Sequence, residues 1–559
     1  MAASPGRERF APFRRPVHLI SLGLALAVLV AAGLGRTLVG QIPFWGDPFP
    51  LGRTLAFTLD HLSLMCSLLL IGSLLSVGLS EHPGTQANEA DVVTLFVAAT
   101  GVAVLVSANM TTLCLAWVFL DLALLWIDTH RASRSATISA VRNLVLRTAS
   151  TIALVAATVL LLAQQGDAPI PLLEARGLPG QLLMAAALLR IGLYPLPGGF
   201  QRGWLTYLVS VATGGYVWLR LAGLSTLGLP GGGWLVPVAG TVLLVTGLLA
   251  ALSDDEEPTL AYLVSHWMAL LVLAPVLGLR GGLSVGLAAM VNIALAIVPL
   301  AALEGGGERS IWWRVPTLVQ VVSAGGGPLT IGLLTRWAFL RLAWEEGYSG
   351  LFAVAVAAFA LASVPAWRQV ALLLAWPSES VAEPAPDADP DLAPAAGPAP
   401  EGSAPPADGA ASAAPARPAV ASLVGAWYPA LILILGGTVP ALLRHPGARL
   451  IGQVTLPLAE GYGAIAWAGA PAYAAAAALL VLAIGYLLAH HTGGGRPSAA
   501  RLTAHTFLEM DWLYSSAERS LAWVEGTIAR GTAVIEEGSM ALGWILLWLL
   551  AGLLLLTGR

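Results

Sequence analysis

Residues 111–127 read Thr-Thr-Leu-Cys-Leu-Ala-Trp-Val-Phe-Leu-Asp-Leu-Ala-Leu-Leu-Trp-Ile, an apolar run with one ionisable side chain, Asp121, in its second half. A helix crossing the roughly 30 Å hydrocarbon layer needs about 20 mainly apolar residues, and this run with its flanks is long enough. Similar runs recur along the whole chain. We read about fifteen, centred near residues 17–35, 61–79, 92–107, 111–127, 148–163, 178–197, 203–222, 233–252, 259–279, 282–303, 315–341, 349–375, 420–443, 463–489 and 539–557. The ten-residue alternation of membrane barrel strands is not seen, so the spans are expected to be helical.

Composition agrees. Of 559 residues, 57% are hydrophobic and 11% charged, and the mean hydropathy is +0.78. Soluble domains carry about a quarter charged residues. A cleavable leader does not explain the pattern, because apolar runs continue into the last twenty residues. The expected setting is therefore the lipid bilayer, in a multi-pass protein of the cell's inner (plasma) membrane. Net charge is −4 and no basic patch interleaves with aromatic residues, which argues against nucleic acid as a partner. Cys66 and Cys114 sit apart in apolar runs without ligand spacing, so no disulfide framework, metal site or cofactor is expected. Every basic side chain other than histidine is arginine, a group that keeps its charge at any accessible pH.

Organisation follows from charge and composition. The 128–147 segment carries Arg131, Arg134, Arg142 and Arg147 and is expected as a cytoplasmic loop by the positive-inside tendency. Residues 1–80 hold N-terminal spans and 81–375 a helical core. The Ala/Pro-rich 376–420 segment carries acids against a single Arg417 and almost no large apolar residue, so it reads as a disordered linker. Further spans follow in 421–490. In 491–559, Leu513, Ala517, Leu521, Val524, Ile528 and Ile535 fall on one helical stripe with Glu518, Glu525 and Arg530 off it, an amphipathic surface helix before a final anchor. An ordinary connecting helix is the alternative for that stripe.

Ionisable groups at bilayer depth are expensive and point to function by default. Asp121, Arg190, His266 and Arg336 lie best inside spans, although a structural ion pair is the plain alternative for Asp121 and one interhelical hydrogen bond for His266. Arg190 precedes a helix-breaking Pro195-Leu-Pro197-Gly-Gly, and Arg336 follows Gly325-Gly-Gly327-Pro328-Leu-Thr-Ile-Gly. Two broken helices, each beside a buried charge, match transporters in which unwound backbone lines a hydrated cavity.

These segments carry a family resemblance across most of residues 55–345. Phe57-Thr-Leu-Asp-His-Leu-Ser, Val106-Ser-Ala-Asn-Met with Leu115-Ala-Trp, and Leu260-Ala-Tyr-Leu-Val-Ser-His266 resemble motifs of the antiporter-like subunits of respiratory complex I, membrane-bound hydrogenases and Mrp antiporters. On that resemblance Asp121 stands for the family's channel glutamate, Arg190 for the lysine of the first broken helix and Arg336 for the terminal lysine or glutamate of the second. Asn292 and Ala296, in Met290-Val-Asn-Ile-Ala-Leu-Ala, stand where the family has a histidine and the central lysine. Asp511-Trp-Leu-Tyr resembles the start of the distal subunit's C-terminal extension.

The resemblance implies an all-α membrane protein of about 14–16 transmembrane helices. It further implies two inverted five-helix half-bundles, each with a broken helix, then a lateral helix and an anchor. The implied role is a membrane subunit of a complex I-like or hydrogenase-like assembly that conducts or supports proton translocation and is not catalytic alone. Other membrane subunits would be its partners, and Asp121 and Arg190 would pair across the first half-bundle. The alternative is a non-conducting scaffold of a related complex, such as an inorganic-carbon uptake system, because the lysines are missing.

Overall fold

The computed structural model describes residues 11–34, 38–43, 54–80, 90–131, 136–166, 169, 170, 173, 175–194, 204–224, 232–303, 311–374, 420–438 and 472–492, together with Arg519 and Trp523. The 376–419 stretch of the linker, Pro195, Pro197 and the final anchor lie outside these residues, as does the lateral stripe except at Arg519 and Trp523, each of which is helical. The chain divides into two units, residues 1–495 and 496–559.

The first unit is helical. Helix α1 is Ala11–Leu34, α2 His61–Ser80, α3 Ala90–Leu105, α4 Met110–Arg131, α5 Ala136–Gln165, α6 Gly177–Ile191, α7 Trp204–Leu224 and α8 Leu235–Leu252. Helix α9 is Glu256–Leu277, and α10 runs from Leu279–Asn292 through a π turn, Ile293–Ile297, into Val298–Leu303. Then come α11 Ile311–Ala324, α12 Ile331–Glu345, α13 Ser349–Leu374, α14 Val420–Thr438 and α15 Ala472–Thr492. Eight of the described helices are long and apolar enough to cross a membrane, and four shorter apolar helices accompany them. The chain is an all-α membrane protein.

The arginine-rich segment departs from the sequence reading. Helix α5 starts at Ala136, so Arg142 and Arg147 belong to a helix rather than to the expected 128–147 loop, and Arg147 is buried. The 315–341 span comprises two helices, α11 and α12, separated at 325–330, at the glycine- and proline-rich stretch singled out above, where Gly326 and Leu329 take positive φ angles of 70° and 62°. A non-glycine residue in that region is uncommon and marks a constrained turn.

A feature absent from the sequence reading is a small antiparallel hairpin of β1, Leu38–Pro43, and β2, Thr54–Leu59, in register from Leu38 opposite Leu59 to Pro43 opposite Thr54. It is extended by the α3–α4 connection, where Thr58 donates to the Val106 carbonyl (2.7 Å) and Ala108 to that of Ala56 (2.8 Å). Ile170 then donates to Ala108 (2.7 Å), so three chain segments share their backbone hydrogen bonds at one end of the helices.

Packing places the core. Helices α3 to α7 each contact the next, and α7 returns to α3; likewise α8 meets α9, α9 meets α10, α10 meets α12, α12 meets α13, and α13 returns to α8. Helix α7 joins the two rings through α9 and α10, while α2 and α14 flank the π turn. Small residues permit the closest approaches, as membrane helix packing requires: a Cβ on Gly247 of α8 would stand 2.7 Å from the Ala358 carbonyl of α13. The π turn frees a carbonyl, at Ala294, which accepts from the Ser73 hydroxyl of α2 at 3.0 Å.

Candidate functional site

The first charged site lies where α4, α5 and α6 meet. Arg190, with no exposed side-chain surface, donates through Nη1 to Asp121 Oδ1, while the Thr151 hydroxyl donates to Oδ2. The Arg190 guanidinium also lies over the Trp117 ring, 4.7 Å from its centroid. Trp117 and Asp121 are four residues apart on α4, so one helix face offers both an anion and an aromatic face to one guanidinium. Gly214 of α7 makes the room: a Cβ there would stand 3.0 Å from the Ile191 nitrogen and 3.1 Å from the Arg190 stem. Helix α6 ends at the left-handed Gly192, whose N–H caps the Leu188 carbonyl. Asp121 keeps 16% of its side-chain surface exposed, between the outward-facing Phe119 and Leu122, so the pair opens on the flank of the bundle.

The second charged site lies at the break between α11 and α12. Arg336 is 2% exposed and donates through Nη1 to the backbone carbonyls of Gly325 and, at 3.2 Å, Phe359. Its guanidinium lies against the rings of Phe359 (5.0 Å) and Trp267 (5.3 Å). Gly325 is just past the C-terminus of α11, so the cation faces the negative end of that helix. Gly327 and Pro328 form the turn itself; a Cβ at Gly327 would stand 2.5 Å from Val322 Cγ1, which leaves glycine as the residue that fits. His266, fully buried, packs edge-on against the same Phe359 ring at 5.6 Å, and its Nδ1 is 3.0 Å from the Leu243 carbonyl. Because that carbonyl only accepts, Nδ1 carries the hydrogen, and in the neutral ring Nε2 presents a lone pair. Asn292 and Ser323 tie α10 to α11 through two hydrogen bonds, of 2.6 and 3.3 Å, and Trp267 donates to the Ala324 carbonyl at 2.9 Å.

A third cluster was partly missed. Arg220 on α7 donates to Asp60 Oδ2 at 2.5 Å and to the Tyr216 hydroxyl at 3.1 Å. Asp60 caps α2, accepting from the Ser63 N–H (2.9 Å) while Ser63 Oγ accepts from the Asp60 N–H (2.8 Å), a reciprocal cap. The sequence marked Asp60 by its motif but passed over Arg220, which lies near a span end where snorkelling explains an arginine. The available signal was Tyr216 four residues earlier, on the same helix face.

No family model matches the chain, and no curated protein sequence matches it. Solved structures do. A chain of the Mrp complex from Dietzia sp. DQ12-45-1b superposes on 98% of this one with a TM-score of 0.70 and 16% identity. The fold is that of a chain of an Mrp complex. This chain spans 61% of that chain's length. A chain of the membrane-bound sulfane sulfur reductase, an archaeal respiratory membrane complex, matches 97% of this chain and is covered to 95%, with a TM-score of 0.64 and 15% identity.

Within this Mrp-type fold the four ionisable residues expected from the sequence fall into two places, Asp121 with Arg190 and His266 near Arg336. Three small residues on α7 and α10 meet mainly apolar neighbours. Gly215 of α7 faces Met290 and Leu271, Gly286 of α10 faces Leu219, and Ala296 lies in the π turn.

The Asp60 cluster yields a pH expectation. Burial pushes the Asp60 carboxyl up, but the Arg220 guanidinium and the Ser63 donors outweigh it and hold it below the ordinary aspartate range. A carboxylate with a depressed folded pKa contributes stability above its unfolded value of about 3.9, and that contribution is lost as pH falls through the lower folded value. The melting temperature should therefore drop on acidification below about pH 4, and Asp60→Asn should remove that step while lowering stability at neutral pH. Identical acid profiles for the two proteins would show that the pair contributes nothing.

Proposed function

We propose that the chain is a membrane subunit of a multisubunit ion-translocating assembly in the cell's inner membrane, and that Asp121 and Arg190 carry its part in proton translocation. The observation that carries this reading is a direct ion pair inside the spans, joining the carboxylate and the cation that the sequence singled out separately. Arg190 supplies a fixed positive charge. A proton reaching Asp121 would neutralise the carboxylate and release Arg190; its departure would restore the pair. The Thr151 hydroxyl, which donates to the second carboxylate oxygen, would hold the Asp121 carboxylate in place through that exchange. His266 belongs to the same reading as a second acceptor, through Nε2, with Arg336 as the fixed charge beside it. The fold shared with chains of an Mrp complex and of a respiratory membrane complex supports a place among other membrane subunits.

One observation favours a second reading, a scaffold without conduction: the apolar contacts of Gly215 with Leu271 and Met290 between the two charged sites. Proton uptake by proteoliposomes containing the whole assembly separates the two. Asp121→Asn should cut uptake at least tenfold, about 1.4 kcal/mol in barrier terms. Wild-type uptake by this variant would leave the scaffold reading standing.

A further inference from the structure

A cavity of about 20 Å3, room for at least one water molecule, lies where α4, α6 and α7 meet the α5–α6 connection. It is walled by Leu113 of α4, Leu183 of α6, Val217 and Arg220 of α7, and Ile170 and Ala175 of that connection, and no polar atom faces it. An apolar space of this kind stays dry, because a water needs two or more polar partners to enter it.

Its walls lead to the ion pair. Leu113, Trp117 and Asp121 recur every four residues along one face of α4, Leu183 and Arg190 are seven apart on α6, and Val217 stands one turn after Gly214, which packs on Arg190. The three helix faces that meet at Asp121 and Arg190 therefore continue, within about two turns, into the cavity. In the other direction the wall ends on Arg220, whose Nη2 donates to Asp60; these two side chains keep 18% and 24% of their surface exposed. At the ion pair the balance reverses. The Trp117 indole N–H and the Arg190 Nε–H and Nη2–H are buried and make no hydrogen bond to the protein. Unpaired buried donors are costly, so water that passed the cavity would be held there.

We propose that this cavity is a hydrophobic gate on a proton route from the Asp60 cluster to the Asp121–Arg190 pair. Dry, it blocks the route; filled with water, it joins the part-exposed Asp60 and Arg220 to the unpaired donors around Asp121. The proposal rests on the reading of Asp121 as a proton-carrying group and names what controls access to it. Apolar side chains, not charges, set the barrier, so a change of one or two atoms in the wall is felt in the flux.

The test uses proteoliposomes containing the whole assembly, with passive proton flux driven by an imposed pH gradient. Val217→Thr puts a hydroxyl on the wall at nearly unchanged size and should raise the flux about tenfold by favouring water in the cavity. The helix tolerates the new hydroxyl, which can donate to the Thr213 carbonyl one turn back. Ala175→Val fills the space instead; it should lower the flux while the melting temperature stays at or above the wild-type value, which shows that the protein is folded. Adding Asp121→Asn to Val217→Thr should abolish the rise. Xenon under pressure should give an anomalous signal in the wild-type cavity, as it does in dry apolar cavities. Wild-type flux in both Val217→Thr and Ala175→Val, with Asp121→Asn impaired, would overturn the gate and leave the role of the ion pair standing. Wild-type flux in Asp121→Asn would overturn both. A rise in Val217→Thr that survives Asp121→Asn would mean a leak around the pair, and an ordered water filling the wild-type cavity in place of xenon would mean that it is already wet; either result also removes the gate.

Discussion

Arg190→Ala should lower the stability of the protein by about 3–5 kcal/mol, the usual effect of removing one partner from a buried ion pair. The magnitude comes from what is left behind. Asp121 would keep the Thr151 hydroxyl but lose its charged partner, in a site where most of its surface is buried. Trp117 would also lose the guanidinium packed on its ring. Arg190→Lys keeps the charge and should keep most proton uptake, yet it gives up the planar contact with Trp117, so an intermediate stability is expected. A double-mutant cycle isolates the pair: adding Asp121→Ala to Arg190→Ala should cost less than the two single effects combined, because the second change removes the stranded carboxylate. Melting in detergent or nanodiscs reads the stability and proteoliposome uptake the function. Additive single effects would mean that the contact carries no coupling.

The second large effect is expected at a glycine of the α11–α12 break, one turn before Arg336. In Gly332→Ala the new Cβ would collide with the Ser323 carbonyl oxygen and stand 3.2 Å from the Gly326 Cα. Both neighbours are backbone, held on one side by the Asn292–Ser323 hydrogen bonds and on the other by the left-handed turn at Gly326. Neither can swing aside. Overpacking usually costs about 1–3 kcal/mol, and with backbone on both sides this site belongs at or above the upper end. The break would open, and Arg336 would lose its carbonyl at Gly325. Gly350→Ala is the matched control: it lies in the first turn of α13 with nothing within 4 Å of its Cβ position. There alanine should be neutral or stabilising by up to about 1 kcal/mol through helix propensity. Equal melting temperatures for the two variants would show that the break tolerates spreading.

The amino-acid sequence by itself determined the solvent, the secondary-structure class and the position of most helices. These follow from local quantities: an apolar run of sufficient length must be a helix in lipid, because every backbone polar group needs a partner within the segment. It also singled out Asp121, Arg190, His266 and Arg336, since an ionisable residue in such a run stands out without any knowledge of its neighbours. The pairing of Asp121 with Arg190 was an implication of the family resemblance, and the partners of Arg220, His266 and Arg336 came from neither the residues nor the resemblance. Asp121 and Arg190 are 69 positions apart, and Arg220 and Asp60 are 160 apart, so their pairing is set by how α4 meets α6 and how α7 meets α2. The hairpin was equally hidden, because its edge is completed by residues 106–109 from another part of the chain. Most telling are the two arginines, which look alike in sequence, each beside a glycine- and proline-rich break. Tertiary packing gave one a carboxylate and the other two backbone carbonyls, and that difference in compensation arises because a buried charge is answered by whichever helix the fold brings beside it.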